Sequence, residues 1–292
     1  MTDKNENTVS APEAVLVLIA LVGVWFMIFV NGNLFKDGPN RSLLGKEEAL
    51  SQTATLLIRF GNLGPELVSS GVIDREKFIK LYDGNDTFKK EAQKLLDGTD
   101  NGDFVVTEKN EPVVLNFLWA LGLGNKNPIL ERGPMTDPRY GGAGNFASTG
   151  GWTIARGDAI EHYSMHSFIV LTPEGQALVE RVAKNIYRPC CDNSTYFPDC
   201  NHGMAMLGFL ELLASQGAGE EEMYKAALTL NEYWFPGTYE MIARYIKEKG
   251  ARFEDMSPKE ILGVKYSSAS GSRRVASWVA KTGQDSGSSC GV

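Results

Sequence analysis

The stretch around which this chain is organised reads RPCCDNSTYFPDCNHGMAM, residues 188–206. It holds three of the four cysteines and one of the three histidines in the 292-residue chain. Pro189 and Pro198 favour an irregular loop, because proline fixes φ and removes a backbone hydrogen-bond donor. Residues on both sides of the stretch have helical patterns. We therefore expect a loop of fixed shape, held between two helices, in which thiol and imidazole groups converge.

Four side chains of this loop are candidate metal ligands, namely Cys190, Cys191, Cys200 and His202. A Cys₃His set suits tetrahedral zinc, although adjacent cysteines chelate one ion only with strain. Met204 and Met206, which we expect mainly in the core, add thioether donors nearby, so copper fits the same set. A haem uses similar histidine and methionine ligands. The sequence thus predicts a zinc or copper ion, with haem as a further alternative.

The ionisation of the sulfurs supports either a metal site or a redox pair. Thiolates, rather than thiols, bind metals and attack disulfides. Arg188 and the start of the next helix at Gly203 both favour a charged sulfur at Cys200. In the redox interpretation, Cys190 or Cys191 pairs with Cys200, and four cysteines in the chain leave the pairing open.

The same cysteines also allow a purely structural disulfide. In an oxidising compartment, a bridge from Cys190 or Cys191 to Cys200 would staple the loop. Cys290, near the C-terminal end, is either an incidental thiol or the resolving thiol of a redox pair. The residues leave the metal site, the redox pair and the staple open.

Two further histidines precede the loop. His162 and His166 lie four residues apart, so in a helix both imidazoles would share one face, with Met165 beside them. We expect either ordinary surface or packing histidines here or two additional ligands for the metal of the cysteine loop.

The segment AVLVLIALVGVWFMIFV, residues 14–30, contains no charged residue. At about 1.5 Å per residue it reaches roughly 25 Å as a helix, close to the ~30 Å hydrocarbon core of a bilayer. Its flanks lack the basic region and cleavage site of a signal peptide, although a cleaved signal and a buried core helix stay as alternatives. The sequence predicts a single-pass transmembrane anchor over residues 14–32, in contact with the lipid bilayer, with the following domain on the extracytoplasmic side.

The rest of the chain has the pattern of a mainly α protein, in which an irregular helical domain ends in a bundle of three to four helices. Residues 122–152 are rich in glycine and proline. We expect them to form a packed irregular segment and a docking surface for a protein partner. The predicted regions are a disordered tail (1–13), the anchor (14–32), a helical region ending in the Gly/Pro-rich loop (33–151), a Cys/His-containing bundle (152–265) and a flexible tail (266–292).

Charge and motifs exclude some functions. The net charge is −7, and the sequence contains no Lys/Arg-rich run of the kind that binds a phosphate backbone, so we expect no nucleic-acid partner. The chain contains neither a Gly-rich phosphate loop nor a Ser/His/Asp nucleophile motif. The residues therefore assign no enzyme activity.

Residues 178–235 carry a resemblance to a known family. LVERVAKNIYRPCC (178–191), FPDCN (197–201) and GAGEEEM (217–223) alternate with helical patterns. In layout they resemble the small thiol domain of the cytochrome c maturation haem-lyase subunit family, which has Leu-Arg-Cys-x-x-Cys, a helix and Gly-x-Ser-x-Glu-Glu-Ile. Extracytoplasmic proteins with a Pro-Cys-Tyr-Cys-Gly-Cys motif are similar. The resemblance implies a three-helix unit with its cysteines at a loop, outside the cytoplasm and next to a membrane anchor; this chain has Cys190-Cys191 where the family has Cys-x-x-Cys.

Together these patterns predict a membrane-anchored extracytoplasmic protein that binds zinc or copper through its Cys/His loop. The first alternative is a thiol-disulfide oxidoreductase related to cytochrome c maturation. The second is a disulfide-stapled structural or partner-docking protein.

Overall fold

The computed structural model of the protein describes residues 56–99, 102, 104–151 and 154–285. Its elements are mainly helices, as the sequence predicts. The predicted tail (1–13) and anchor (14–32) lie outside the described residues, as do Trp152 and Cys290. Across the described ranges, no helix combines the length and the apolar character needed to span a bilayer.

The first half of the described chain contains a two-stranded antiparallel sheet and five helices. Leu56 of the first strand lies opposite Val106 of the second. The elements are β1 (Leu56–Ile58), α1 (Leu63–Ser70), α2 (Arg75–Lys80), α3 (Asp86–Asp97), β2 (Phe104–Val106), α4 (Glu111–Gly124) and α5 (Pro128–Arg132). The segment predicted as irregular over 122–151 thus begins inside α4 and includes α5. Single helical turns then follow at Pro134–Thr136, Pro138–Tyr140, Ala143–Asn145, Ala147–Gly151 and Ala159–His162.

The named elements in the second half of the described chain are all helices or helical turns, separated by loops. Thr172 caps the first of these helices, since its hydroxyl accepts the Gly175 N–H at 3.1 Å. The helices are α6 (Pro173–Ala183), α7 (Asn201–Ser215), α8 (Glu220–Trp234), α9 (Pro236–Glu248), α10 (Pro258–Ile261), α11 (Val264–Ser267) and α12 (Ala269–Asp285), with one 3₁₀ turn at Phe253–Asp255.

Helices α4 and α7 cross in close contact in the core. Most of their side chains are buried, which is typical of a helix inside a core rather than on a surface. Glycines make the close crossing possible: a Cβ at Gly122 would clash with the Met204 carbonyl, and one at Gly208 would lie 2.6 Å from the Leu118 carbonyl. The crossing fixes the first turn of α7, and the loop before it, against the C-terminal half of α4.

We expect Gly122→Ala to lower the free energy of unfolding by about 1–3 kcal/mol, because the added methyl group must push two helix backbones apart. Gly237→Ala in α9 is the control, since nothing lies within 4 Å of its added Cβ. Alanine favours a helix over glycine, so the control is expected to be neutral or slightly stabilising. Urea unfolding of both variants measures the difference; equal stability would contradict the close crossing.

One hydrophobic core connects the two halves of the described chain. It runs from Leu56 to Val275 and includes buried residues on both sides of the domain boundary predicted after residue 151. Helices α6 and α8 pack against α7, and α12 packs against α9. The cysteine loop therefore sits on a scaffold whose helices share one core.

The spacing of Leu57 and Ile58 from the apolar residues before them predicts a helix that reaches Ile58, and residues 61–65 predict a break after it. The first prediction is wrong, and the second holds only for residues 61 and 62. The helical pattern expected to reach Ile58 gives way to β1, where Leu56 and Ile58 are buried and the residue between them is partly exposed. Three residues are too few to distinguish alternation from a helical pattern. Residues 61 and 62 lie outside any helix, whereas residues 63–65 are in the first turn of α1, where Pro65 is tolerated because N–H groups of the first turn have no intrahelical partner.

The flexible tail predicted from residue 266 is also wrong for the residues that the structure describes, because α12 occupies Ala269–Asp285. Val275 and Val279, four residues apart, are buried, and the Trp278 ring packs edge-to-face on Tyr245 of α9 at 5.0 Å. Small Ser, Gly and Ala residues weakened the apolar pattern in the sequence. They did not weaken the packing, since three large side chains are enough to anchor the helix.

Candidate metal centre

The loop between α6 and α7 brings three cysteine sulfurs together. Sγ of Cys190 lies 3.4 Å, and Sγ of Cys191 lies 3.8 Å, from Sγ of Cys200. None of the three forms a disulfide, and Cys190 is the exposed one. The site contains two groups of three ligand atoms, and within each group the three atoms lie within 4.8 Å of one another. Cys190, Cys200 and His202 form one group, and Cys191, Asp199 and Cys200 form the other. Cys200 is therefore common to both groups.

The start of α7 determines where the Cys200 sulfur points. Cys200 is the N-cap residue, with extended backbone, and its sulfur accepts the Gly203 N–H at 3.4 Å. Nε of Arg188 donates to the same sulfur at 3.1 Å. A side chain at position 203 would clash with the Arg188 guanidinium, so glycine is needed there. The helix start and the arginine thus both support a charged sulfur, as expected from the sequence.

Arg188 is the internal support of the loop, although only 1% of its surface is exposed. Nη1 donates to the Asn193 carbonyl at 2.9 Å, and Nη2 donates to the Phe197 carbonyl at 3.1 Å and to Asp199 Oδ1 at 2.6 Å. Asn193 Nδ2 completes the ring of contacts by donating to Asp199 Oδ2 at 2.8 Å. One buried cation therefore fixes the backbone and the carboxylate that surround the sulfurs.

The three sulfurs differ in how readily they ionise. Hydrogen bonds with the Cys190 and Cys191 sulfurs lower the pKa of Cys200 well below its ordinary value, and His202 and Arg188 add to this. Hydrogen bonds to the other two cysteines, together with burial, raise the pKa of Cys190. For Cys191, the hydrogen bond to Cys190 lowers the pKa, but Cys200 and burial raise it to about 12. The lowered pKa of Cys200 and the raised pKa values of Cys190 and Cys191 therefore favour a thiolate at Cys200, with the other two cysteines as thiols.

Aromatic side chains hold His202 beside the sulfurs. Its ring packs edge-to-face on Trp234 at 5.5 Å and lies 4.6 Å from the Phe235 ring. Both residues come from the junction of α8 and α9, whose place in the fold the sequence does not specify. The imidazole is therefore positioned by tertiary packing rather than by the loop itself.

Two contributions to this site were missed from the sequence. Asp199 was not named as a ligand, although a carboxylate directly before Cys200 was the available signal. The start of α12 was predicted to be mobile, yet the Ala269 N–H donates to the Cys191 carbonyl at 3.0 Å and the Ser270 N–H donates to the Asp192 carboxylate at 2.7 Å. The C-terminal helix thus supports the cysteine loop from outside.

The other two predicted ligands, His162 and His166, form a separate pair. Their segment is a 3₁₀ turn followed by a loop rather than a helix, and Nδ1 of His162 lies 3.2 Å from Nε2 of His166. Neither joins a ligand group of the cysteine loop. Burial, and then the neighbouring His162, lower the pKa of His166.

The resemblance of residues 178–235 to the haem-lyase subunit family stays a prediction. Neither a family model nor a curated protein nor a solved structure matches the chain.

Proposed function

We propose that the loop binds a single zinc or copper ion through the four predicted ligands Cys190, Cys191, Cys200 and His202. The observation that supports this most directly is the arrangement of two sulfurs at 3.4 and 3.8 Å around the Cys200 sulfur, with His202 in the same group as Cys190. A tetrahedral zinc ion with bonds of about 2.3 Å separates its sulfur ligands by about 3.8 Å. The ion would take the place of the thiol protons that now link the sulfurs.

The surroundings of the sulfurs suit such an ion. The buried Arg188 guanidinium offsets the negative charge that three thiolates bring, and hydrogen bonds to ligand sulfurs orient them and tune the metal. Asp199 is engaged by Arg188 and Asn193, which suits a supporting role outside the four ligands. Cys190 is exposed and supplies the route by which an ion enters.

A thiol-disulfide oxidoreductase is the second candidate, favoured by one specific contact. The Cys200 thiolate faces the exposed Cys190 thiol at 3.4 Å, so this pair can form a disulfide by giving two electrons and its remaining proton to a substrate disulfide, with one further proton taken from solvent. The resemblance to cytochrome c maturation proteins points the same way. In both candidates we place the domain outside the cytoplasm, next to the anchor predicted over residues 14–32.

The experiment is elemental analysis of protein purified without added metal, combined with a count of reactive thiols before and after chelation. We expect about one zinc or copper ion per chain, and thiols that become reactive only when a chelator removes it. Metal-free protein whose thiols exchange with a dithiol would instead support the oxidoreductase. A stable, unreactive disulfide would overturn both and support a stapled structural protein, with residues 122–152 as its predicted docking surface.

A further inference from the structure

We propose that His162 and His166 form a second metal site, for a divalent transition-metal ion such as Zn²⁺, Ni²⁺ or Cu²⁺, separate from the cysteine loop. Their facing ring nitrogens lie 3.2 Å apart. Imidazole suits these three ions. The inference stands independently of the function proposed for the cysteine loop, because the two sites share no residue.

The backbone between the two histidines is held in a strained conformation. Ser164 has a φ of 56°, which is uncommon for a residue with a side chain, and it is buried. Its N–H donates to the Leu123 carbonyl at 2.8 Å, and its hydroxyl accepts the Asn127 N–H at 3.1 Å. Such strain persists only where the surroundings enforce it, and it is concentrated at functional sites. The loop is thus built to turn the two imidazoles toward each other.

The support behind Ser164 extends into the core. Asn127 donates through its side-chain amide to Glu211 of α7, and its Oδ1 accepts from Gln176 Nε2 at 3.1 Å. Glu211 is fully buried, and burial raises the pKa of its carboxyl group well above the ordinary value. A residue that holds the histidine loop is therefore itself fixed by a polar cluster between helices.

The hydrogen bonds of His162 determine which of its nitrogens is free. Nε2 lies 2.9 Å from the Arg156 carbonyl, and a carbonyl only accepts, so Nε2 carries the proton. Nδ1 of His162 therefore presents its lone pair toward His166. A ring N–H donated to a backbone carbonyl is typical of histidines that bind metals, because it fixes the tautomer and the ring orientation.

The separation of the two nitrogens suits chelation. Two Zn–N bonds of about 2.0–2.1 Å at a tetrahedral angle separate the nitrogens by about 3.4 Å. Without an ion, the rings face each other with centroids 5.5 Å apart, which suits one proton shared between them. An ion displaces that proton, and each ring turns until both lone pairs converge on it. Both side chains are partly exposed, so water or an exogenous ligand fills the remaining positions.

The test uses the full chain with all four cysteines replaced by serine, titrated with Zn²⁺ in a calorimeter. We expect one bound ion, and we expect His166→Asn or His162→Asn to weaken its binding by more than about tenfold. His202→Asn is the control and is expected to leave the affinity unchanged. Zinc binding that His166→Asn leaves intact, or the absence of any zinc binding, would overturn the inference.

A second readout needs no cysteine substitution. In the wild-type chain, the ring ¹⁵N signals of the three histidines are followed while Zn²⁺ is added beyond the first equivalent. We expect the signals of His162 and His166 to shift together and that of His202 to stay constant. Unmoved signals from the pair would refute this site without touching the proposal for the cysteine loop, whose own test is the metal content of the unmodified protein.

Discussion

Cys200→Ser is expected to reduce the metal content of the purified protein from about one ion per chain to background. The reason is geometric: the Cys200 sulfur is the ligand atom shared by both three-ligand groups, whereas Cys190 and Cys191 each belong to one. Serine supplies no thiolate, so an ion that prefers sulfur loses the ligand that lies 3.4 and 3.8 Å from the other two sulfurs. Elemental analysis of the variant checks the expectation.

Three comparisons make this result interpretable. Cys290→Ser is a control outside the described residues and is expected to keep the ion. Cys190→Ser and Cys191→Ser are expected to weaken metal binding less than Cys200→Ser, because each keeps the Cys200 sulfur, which is common to both groups, and two further proposed ligands. Circular dichroism confirms that each variant stays helical. A folded Cys200→Ser protein that retains a full complement of metal would refute the proposed ligand set.

Arg188→Met is expected to lower the free energy of unfolding of the reduced, metal-free protein by about 3–5 kcal/mol. Removing one partner of a buried ion pair leaves the other charge without compensation, and here Asp199 and the Cys200 thiolate both lose their cation. The backbone carbonyls of Asn193 and Phe197 also lose a donor. Urea unfolding measures the loss.

Arg181→Met provides the comparison for this variant. Arg181 forms an ion pair with Glu220 at 2.8 Å on the surface, where the two side chains are 56% and 34% exposed. Pairs of this kind contribute less than about 1 kcal/mol, because solvent screens them. Equal losses in the two variants would show that Arg188 does not hold the loop together. Recovery of part of the loss in Arg188→Met combined with Asp199→Asn would confirm that the two charges are coupled.

Long helices with clear ends could be predicted from the sequence. The Thr172 cap followed by Pro173 identifies the start of α6, and the glutamates at the start of α8 identify that helix. Such signals are local, because a cap and a first turn involve residues close in the sequence. β1 was missed since its pairing with β2 joins residues about 50 positions apart, which no local pattern reports. The final helix was missed because its packing depends on Tyr245 of α9.

The site was predictable in its residues and less so in its geometry. Spacing within one loop predicted that Cys190, Cys191 and Cys200 would meet, and they do. It did not reveal that Asp199 would join one of the groups. The four-residue spacing of His162 and His166 suggested a helical face, but a strained turn at Ser164 brings these imidazoles together instead.

The sequence by itself determined the helical class and the loop in which the cysteines meet, because helical periodicity, caps and prolines act over a few residues. Only the tertiary structure decided the partners of the sulfurs. Arg188 is the buried support of the loop because Gly203 leaves room for its guanidinium. Helix α12 contacts the loop because its apolar residues pack against α9. The separation of the histidine pair from the loop was decided in the same way. Burial and long-range contacts depend on the whole fold, which no short stretch of sequence encodes.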